Sequence, residues 1–371
     1  MISKSEMTIK QVFFILLLSI GLVNHVQMIP ILLQNSGKDS WIAVSIAFPI
    51  IVIFVCLIGF VMKRLGHTPF LVWVEQKSNH FLAVVVALLF FFHFFINALL
   101  TLKGVIDWTQ VTYLRQTPLL VTTLALLFLV LFLVIKGLRT IGIVATILLP
   151  FVLLAGYFVM TANFQYKDYQ LLFPLFTQSF NDIAITILYI VASTLELISV
   201  LFIHHHLNKK LKTSHLIWLS FLLIGLTLGP LMGSIAAFGP FSSLMRFPAF
   251  EQWLLVQIGD YISNVDFLSI YQWLSGAFIR LAFEFYLLGE IAKYLFKLKQ
   301  IIYVYVIVAV IYLFVTISPI TFITDSIWFY EVYMQSVFSF YMFSILIFVL
   351  LAIRKRKGGS HYEKTNKNES I

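Results

Sequence analysis

The sequence predicts an all-α polytopic membrane protein with ten transmembrane helices, arranged as a 5+5 inverted repeat. Of its 371 residues, 61% are hydrophobic and only 11% are charged, and the mean hydropathy is +0.98. Soluble domains contain about 25% charged residues. The apolar residues form continuous runs, unlike the alternating segments of an outer-membrane barrel. This composition excludes a soluble enzyme, a disordered protein and a nucleic-acid-binding protein.

A transmembrane helix needs about 20 mostly apolar residues, and ten runs approach or exceed that length. They are 9–33, 40–62, 81–102, 118–136, 140–162, 181–203, 215–238, 267–289, 300–318 and 331–353. We therefore predict a single transmembrane domain over 1–353, with repeat one at about 8–162 and repeat two at about 181–353. The basic segment 354–371 is predicted to be a disordered cytoplasmic tail.

The first apolar run lacks a small-residue cleavage site, so we interpret it as a retained helix and not a signal peptide. The single cysteine, Cys56, excludes an intrachain disulfide. With the N-terminus inside, 19 of the 25 Lys and Arg residues lie at the inner side, five lie outside and Arg280 lies within a span. This bias predicts that both termini are cytoplasmic, and it accounts for most of the net charge of +9.

The longest predicted outer segment is 239–266, and its amphipathic stretch at about 250–262 predicts an interfacial or re-entrant helix. Five spans per repeat is an odd number, so the second five enter the membrane from the opposite side. Transporters of this build bind their substrates on discontinuous helices near the midplane. Gly21, the polar residues 24–27 and Pro30 predict an unwound segment in the first span. In the sixth span, the only feature that favours a similar interruption is the run of small residues 192–194 before Glu196.

Polar residues within the spans are the candidate site, because a charge at the bilayer centre costs about 2.5–3.5 kcal/mol. The candidate ligand-binding residues are Gly21, Asn24, His25, His93, Asn97, Ser193, Thr194, Glu196, Arg280 and Glu284. Counting residues from the span ends places polar groups of spans one, three, six and eight at graded depths, at about 1.5 Å per residue. One shared polar pocket or path explains this arrangement.

Two interpretations of Arg280 stay open. It is four residues from Glu284 on one helix, so the two can form a structural ion pair. Alternatively, its forked guanidinium faces a cavity and meets Glu196 or a ligand carboxylate. His93 and Asn97 share a helix face, for which interhelical hydrogen bonding is the default role.

Residues 204–206 are three consecutive histidines, which diverge on a helix and therefore predict an interfacial cluster, not a metal site. In the seventh span, Gly225, Gly229, Gly233 and Ala237 repeat every four residues, which predicts close helix packing. We find no nucleotide-binding loop and no nucleophile motif. The sequence therefore predicts neither an enzyme nor a cofactor. An intramembrane hydrolase or acyltransferase using His25 or His93 is the enzyme alternative, which the lack of a nucleophile motif disfavours.

Several short motifs appear in order along residues 6–353. They are Thr8-x-x-Gln11, Gly21, Pro30, Gly37-x-Asp39-x-Trp41, Thr117-Pro118, Gly137-Leu138-Arg139-x-x-Gly142, Phe238-Gly239 and Phe247-Pro248. In their order and spacing the chain resembles the B subunits of nutrient germinant receptors, the GerAB-type family of spore germination proteins. That family is related to the amino acid–polyamine–organocation transporters.

The resemblance implies the fold of those transporters, also found in LeuT, and a location in the inner membrane of the spore. It also implies a role in sensing a small nutrient, such as an amino acid or a sugar, together with an A-type subunit and a lipoprotein C-type subunit. In the related fold, spans one, three, six and eight line the site. The segment Gly21-Leu22-Val23-Asn24-His25 departs from the small, Gly-rich backbone expected at a carboxylate site. The alternative function is a secondary transporter of amino acids or polyamines.

Overall fold

The computed structural model describes residues 6–257, 265–318 and 327–354, and in these ranges the chain is built from helices. Their bounds are α1 (Ile9–Leu22), α2 (Met28–Ser36), α3 (Ser40–Leu65), α4 (Phe70–Lys77), α5 (His80–Thr112), α6 (Leu119–Ile135), α7 (Leu138–Ala162), α8 (Phe180–Thr194), α9 (Val200–Ile203), α10 (Thr213–Phe238), α11 (Pro248–Leu254), α12 (Leu268–Phe296), α13 (Ile302–Ile317) and α14 (Ile327–Ile353). The β pairing found in these ranges is one isolated parallel bridge between Met7 and Leu207.

Each of the ten predicted apolar stretches is helical over most of its described residues. Six helical segments are long and apolar enough to cross a membrane, and α6 and α13 are shorter apolar helices. The six are Ile9–Leu65, His80–Thr112, Leu138–Ala162, Phe180–His206, Thr213–Leu244 and Glu331–Ile353. The prediction of an all-α membrane protein is thus confirmed, whereas the count of ten crossings and the inverted repeat stay predictions.

Large apolar side chains cover the outside of the helix bundle. On α6, Phe128 is 69% exposed and Phe132 is 59% exposed, and similar side chains lie on α7, α13 and α14. Exposed apolar area of this extent marks a surface that contacts lipid. The long helix α12 is largely buried and packs against α1, α5, α6 and α7.

The first predicted span keeps its helical path but changes its hydrogen-bond register. Between α1 and α2 lies a π-helical turn, Val23–Gln27. Pro30 has no N–H to bond the carbonyl of Val26, and its ring would clash with that carbonyl in a regular α-helix. A π turn is a common response to such a disturbance. The expected unwound segment is therefore a re-registered helix and not an extended break.

The sixth predicted span is interrupted too. Its α8 ends at Thr194 and is followed by a 3₁₀ turn, Leu195–Ser199, before α9. A 3₁₀ stretch inside a helix often marks a hinge or a strained site. Glu196 lies within this turn, although the local sequence contains neither Gly nor Pro.

A buried carboxylate joins the start of α3 to the segment before α8. Asp39 accepts hydrogen bonds from the backbone N–H groups of Phe176, Thr177 and Gln178, at 3.1, 2.5 and 2.8 Å. Gly37 lies just before it with a φ of +48°, which a residue without a Cβ adopts at little cost. The motif Gly37-x-Asp39-x-Trp41 therefore has a structural role in this connection.

In the predicted outer segment 239–266, the described residues include one short α-helix, α11, which is anchored to its neighbours. Gln252 of α11 donates to the carbonyl of Pro230 (3.0 Å) and to the hydroxyl of Ser234 (2.9 Å). Most of the predicted amphipathic stretch after α11 falls on 258–264, outside the described residues, as do 355–371 of the predicted tail.

The predicted packing ladder on α10 is wrong at two of its positions. Within the described part of the chain, no atom lies within 4 Å of a Cβ built on Gly225 or Gly229. Both glycines line a cavity instead. Gly233 is the position where another side chain approaches closely, because a Cβ there would lie 2.5 Å from Oε1 of Gln252.

Candidate functional site

An ion pair lies in the interior of the helix bundle. The guanidinium of Arg280 on α12 donates to Glu196 through Nη1 to Oε1 (2.6 Å) and Nη2 to Oε2 (2.9 Å). Arg280 is 2% exposed and Glu196 is 4% exposed. Paired, charge-assisted bonds of this kind are strong and directional. The pair joins the 3₁₀ turn after α8 to α12.

A second carboxylate shares the same guanidinium. Oε1 of Glu284 lies 3.0 Å from Nη2 of Arg280, one helical turn away, so both interpretations of Arg280 from the sequence describe real contacts. The Glu284 contact lacks hydrogen-bond geometry, and neither of its carboxylate oxygens has a hydrogen-bond partner among the described residues. Two carboxyl groups thus face one guanidinium.

Two more elements complete the surroundings of Arg280. Its Nε donates to the hydroxyl of Thr101 on α5 at 2.9 Å, and its Nη1 donates to the carbonyl of Ser19 on α1 at 3.3 Å. The structure therefore brings together side chains from the first, third, sixth and eighth predicted spans. Thr101 and Ser19 were absent from the predicted site, since hydroxyl side chains in apolar helices usually bond to their own backbone.

A polar chain extends from this cluster to the last helix. The Nε2 of His93 and the hydroxyl of Tyr341 on α14 are 2.5 Å apart. Nδ2 of Asn97 lies 3.0 Å from the same ring nitrogen, and the hydroxyl of Tyr333 donates to Oδ1 of Asn97. The predicted site contained no residue of α14. The tyrosines of this helix were a usable signal, because a buried Tyr hydroxyl normally requires a hydrogen-bond partner.

The two interrupted helices touch each other through polar side chains. Nδ2 of Asn24 in the π turn donates to the hydroxyl of Thr194, the last residue of α8, at 3.0 Å. Both residues are fully buried. Ser193 beside them donates to the carbonyl of Ile190 in its own helix (3.1 Å). The irregular segments of the first and sixth predicted spans therefore meet directly.

A small cavity lies between these groups. Its volume is about 20 Å³, and Ser193, Asn97, Glu196, Arg280 and Tyr341 are among its lining residues. That volume holds about one water molecule. A nutrient-sized molecule can enter only if the surrounding helices separate.

Two of the predicted site residues, Gly21 and His25, lie elsewhere. They line a cavity of about 400 Å³ between α1, α7 and α10. Nδ1 of His25 lies 3.1 Å from the carbonyl of Leu226 on α10. Lys167 also lines this cavity, and burial lowers the pKa of its ammonium group. The lining is mostly apolar and does not include Glu196, Arg280 or Glu284. The larger cavity is therefore separate from the charged cluster.

The charged cluster does not hold a metal-binding group. Among the described residues, one set of three His, Cys, Asp or Glu side chains lies close enough to hold a metal ion, namely His205, His206 and Glu290. His205 and His206 lie nine and ten residues after Glu196, and Glu290 lies ten residues after Arg280.

Comparison with known proteins gives two findings. A family model described as "Spore germination protein" matches residues 6–321. Spore germination protein XB of Bacillus anthracis is 35% identical to this chain over 353 residues, which cover 94% of this chain and 98% of that protein.

Proposed function

Because the chain belongs to the spore germination protein family, we propose that it is the membrane subunit of a nutrient germinant receptor. It binds a small nutrient, such as an amino acid, and triggers germination without converting the nutrient chemically. The family membership itself confirms the resemblance found in the sequence and describes a germination-related, multi-pass membrane protein.

One observation carries the proposal, namely the buried Arg280 shared by two carboxylates. Ionisable residues in membrane helices are costly and commonly mark ligand or ion pathways. These residues lie on and beside interrupted helices, the places where transporters of related build bind their ligands. The carboxyl groups of the cluster complement an ammonium group, and Arg280 complements a carboxylate. An amino acid carries both groups.

The same geometry supports a mechanism for signalling. A ligand carboxylate would compete with Glu196 for Arg280, and a ligand ammonium group would face the released carboxylates. Because the cavity of about 20 Å³ is too small for such a ligand, binding requires α8, α12 and α14 to separate. The ligand would then stabilise the open arrangement, which is the differential affinity that any conformational switch needs.

We further propose the membrane arrangement that the sequence predicts. The ten helical stretches would make ten crossings in two inverted halves, with the π turn in the first helix of one half and the 3₁₀ turn in the first helix of the other as counterparts. Both termini would face the cytoplasm, and the protein would lie in the inner membrane of the spore. An A-type subunit and a lipoprotein C-type subunit would be its partners.

A secondary transporter of amino acids or polyamines is the second candidate. The contact between two interrupted helices, Asn24 with Thr194, favours it equally, because alternating access uses such segments. Uptake of labelled nutrient by vesicles containing this protein alone would support the transporter and contradict a pure receptor.

The decisive experiment uses spores that lack only this gene and a panel of nutrients. Loss of the response to one nutrient identifies the germinant. Complementation with Arg280→Lys keeps the charge but removes the forked donor, so we expect a dose response weakened at least about tenfold at normal protein abundance. Arg64→Lys, at the exposed end of α3, is the matched control and should respond normally. A wild-type dose response with Arg280→Lys would contradict the proposed site.

A further inference from the structure

Two of the three consecutive histidines lie side by side instead of diverging. His204–His206 form a 3₁₀ turn at the end of α9, and the ring centroids of His205 and His206 are only 4.0 Å apart. The tighter turn therefore places two imidazoles together. The expectation of diverging side chains holds for a regular α-helix and is wrong here.

A carboxylate from another helix completes the group. One ligand atom each from His205, His206 and Glu290 of α12 lies within 4.8 Å of the other two, and all three residues are half-buried. Nδ1 of His205 is buried without a hydrogen-bond partner in the described part of the chain. The hydroxyl of Tyr286, one turn before Glu290, lies 2.9 Å from Nε2 of His206 and orients that ring.

We propose that His205, His206 and Glu290 bind a divalent transition-metal ion of the zinc class. Two imidazoles and one carboxylate suit Zn²⁺ and leave a fourth position for water. Zinc–ligand bonds of about 2.0–2.1 Å place tetrahedral ligand atoms about 3.4 Å apart. Side-chain rotations that move these atoms together by about 1 Å therefore complete the site. A hydrogen bond such as that of Tyr286 commonly strengthens a histidine ligand.

The ion would act as a clamp between two elements. Glu196 and Arg280 already join the interrupted helix to α12, and the metal would join the same two parts of the chain nine or ten residues further on. The turn also holds the segment before α1, because the N–H of Met7 donates to the carbonyl of His206 at 2.9 Å. Metal binding would therefore hold α12, the histidine turn and the start of α1 together.

Binding is tested on the purified, metal-stripped full chain by Zn²⁺ titration against a competing chromophoric chelator. We expect one equivalent to bind, and His205→Ala, His206→Ala and Glu290→Gln each to weaken binding by at least about tenfold. His80→Ala, an exposed histidine, is the matched control and should bind like the wild type. Lys293 is an exposed cation on the next turn of α12, and its positive charge repels a metal ion. Lys293→Gln should therefore tighten Zn²⁺ binding.

Substoichiometric binding by the wild type, or wild-type affinity in all three ligand variants, would overturn the site. Should a variant fail to fold, the Co²⁺-loaded wild type decides, since a tetrahedral site shows strong visible absorption and hexahydrated Co²⁺ does not. Hydrogen exchange tests the clamp: Zn²⁺ should slow exchange at residues 7 and 204–208 in the wild type but not in Glu290→Gln. Binding without this protection would reject the clamp. None of these readouts depends on a nutrient response.

Discussion

At the residue scale, the three buried charges have unequal roles. Arg280 contacts both carboxylates, Glu196 through two short hydrogen bonds and Glu284 through one 3.0 Å contact. Removing Arg280 leaves two carboxylates facing each other in the interior. Removing Glu196 leaves the guanidinium with Glu284 still beside it. The loss of the cation is therefore the more severe change.

We predict that Arg280→Gln lowers the free energy of unfolding by about 3–5 kcal/mol, since breaking a buried ion pair leaves an uncompensated charge. Glu196→Gln should cost less, because Glu284 remains within reach of the guanidinium. The double variant Arg280→Gln/Glu196→Gln should be more stable than Arg280→Gln alone. Protein abundance in detergent extracts and the midpoint of thermal unfolding measure all three.

Arg64→Gln at the exposed end of α3 is the control for loss of an arginine and should change neither quantity. Greater damage from Glu196→Gln than from Arg280→Gln would contradict the sharing of one guanidinium by two carboxylates.

At the scale of the helices, glycines differ in what surrounds them. A Cβ on Gly289 of α12 would lie 2.5 Å from the ring and hydroxyl of Tyr305 on α13 and 2.7 Å from Ile301. Gly225 of α10 faces open space among the described residues. Position within a small-residue pattern therefore does not reveal which glycine permits close packing.

We predict that Gly289→Ala destabilises the protein by about 1–3 kcal/mol through overpacking. Gly225→Ala is the matched control, and it should leave stability unchanged or raise it by up to about 1 kcal/mol, because Ala favours helix more than Gly does. Thermal unfolding in detergent compares the two. Equal destabilisation by both substitutions would mean that α10 is as tightly packed at Gly225 as α12 is at Gly289.

At the scale of the whole molecule, the orientation in the membrane is open to a direct test. The Lys and Arg bias predicts that the segment after α10 is outside and that the turn before α10 is inside. In a Cys56→Ser background, Ser243→Cys should react with a membrane-impermeant thiol reagent added to intact cells. Lys209→Cys should react only after the membrane is permeabilised. The opposite pattern would reverse the orientation.

The sequence by itself determined where the helices lie. Runs of about 20 apolar residues are needed to span a bilayer, and backbone groups in lipid must bond within their own helix, so run length alone locates the ten long apolar stretches. It does not locate the short helix α4, which lies outside these runs. The sequence also predicted a disturbance after α1, because Pro30 lacks the N–H that a regular helix needs, but it did not predict that the disturbance is a π turn. The charged candidates Glu196, Arg280 and Glu284 stood out for the same reason, namely their cost in an apolar segment.

Only the tertiary structure decided which of these residues meet. Most spans are apolar on nearly every face, so local sequence does not specify how each helix is rotated or which neighbour it contacts. Packing turned His25 toward α10 and into the larger cavity, and it brought Tyr341 of α14 to His93. It also placed a 3₁₀ turn at Glu196 where neither Gly nor Pro requires one. Contacts between distant parts of the chain depend on how the side chains of whole helices pack against one another. The sequence of a single span does not specify that packing.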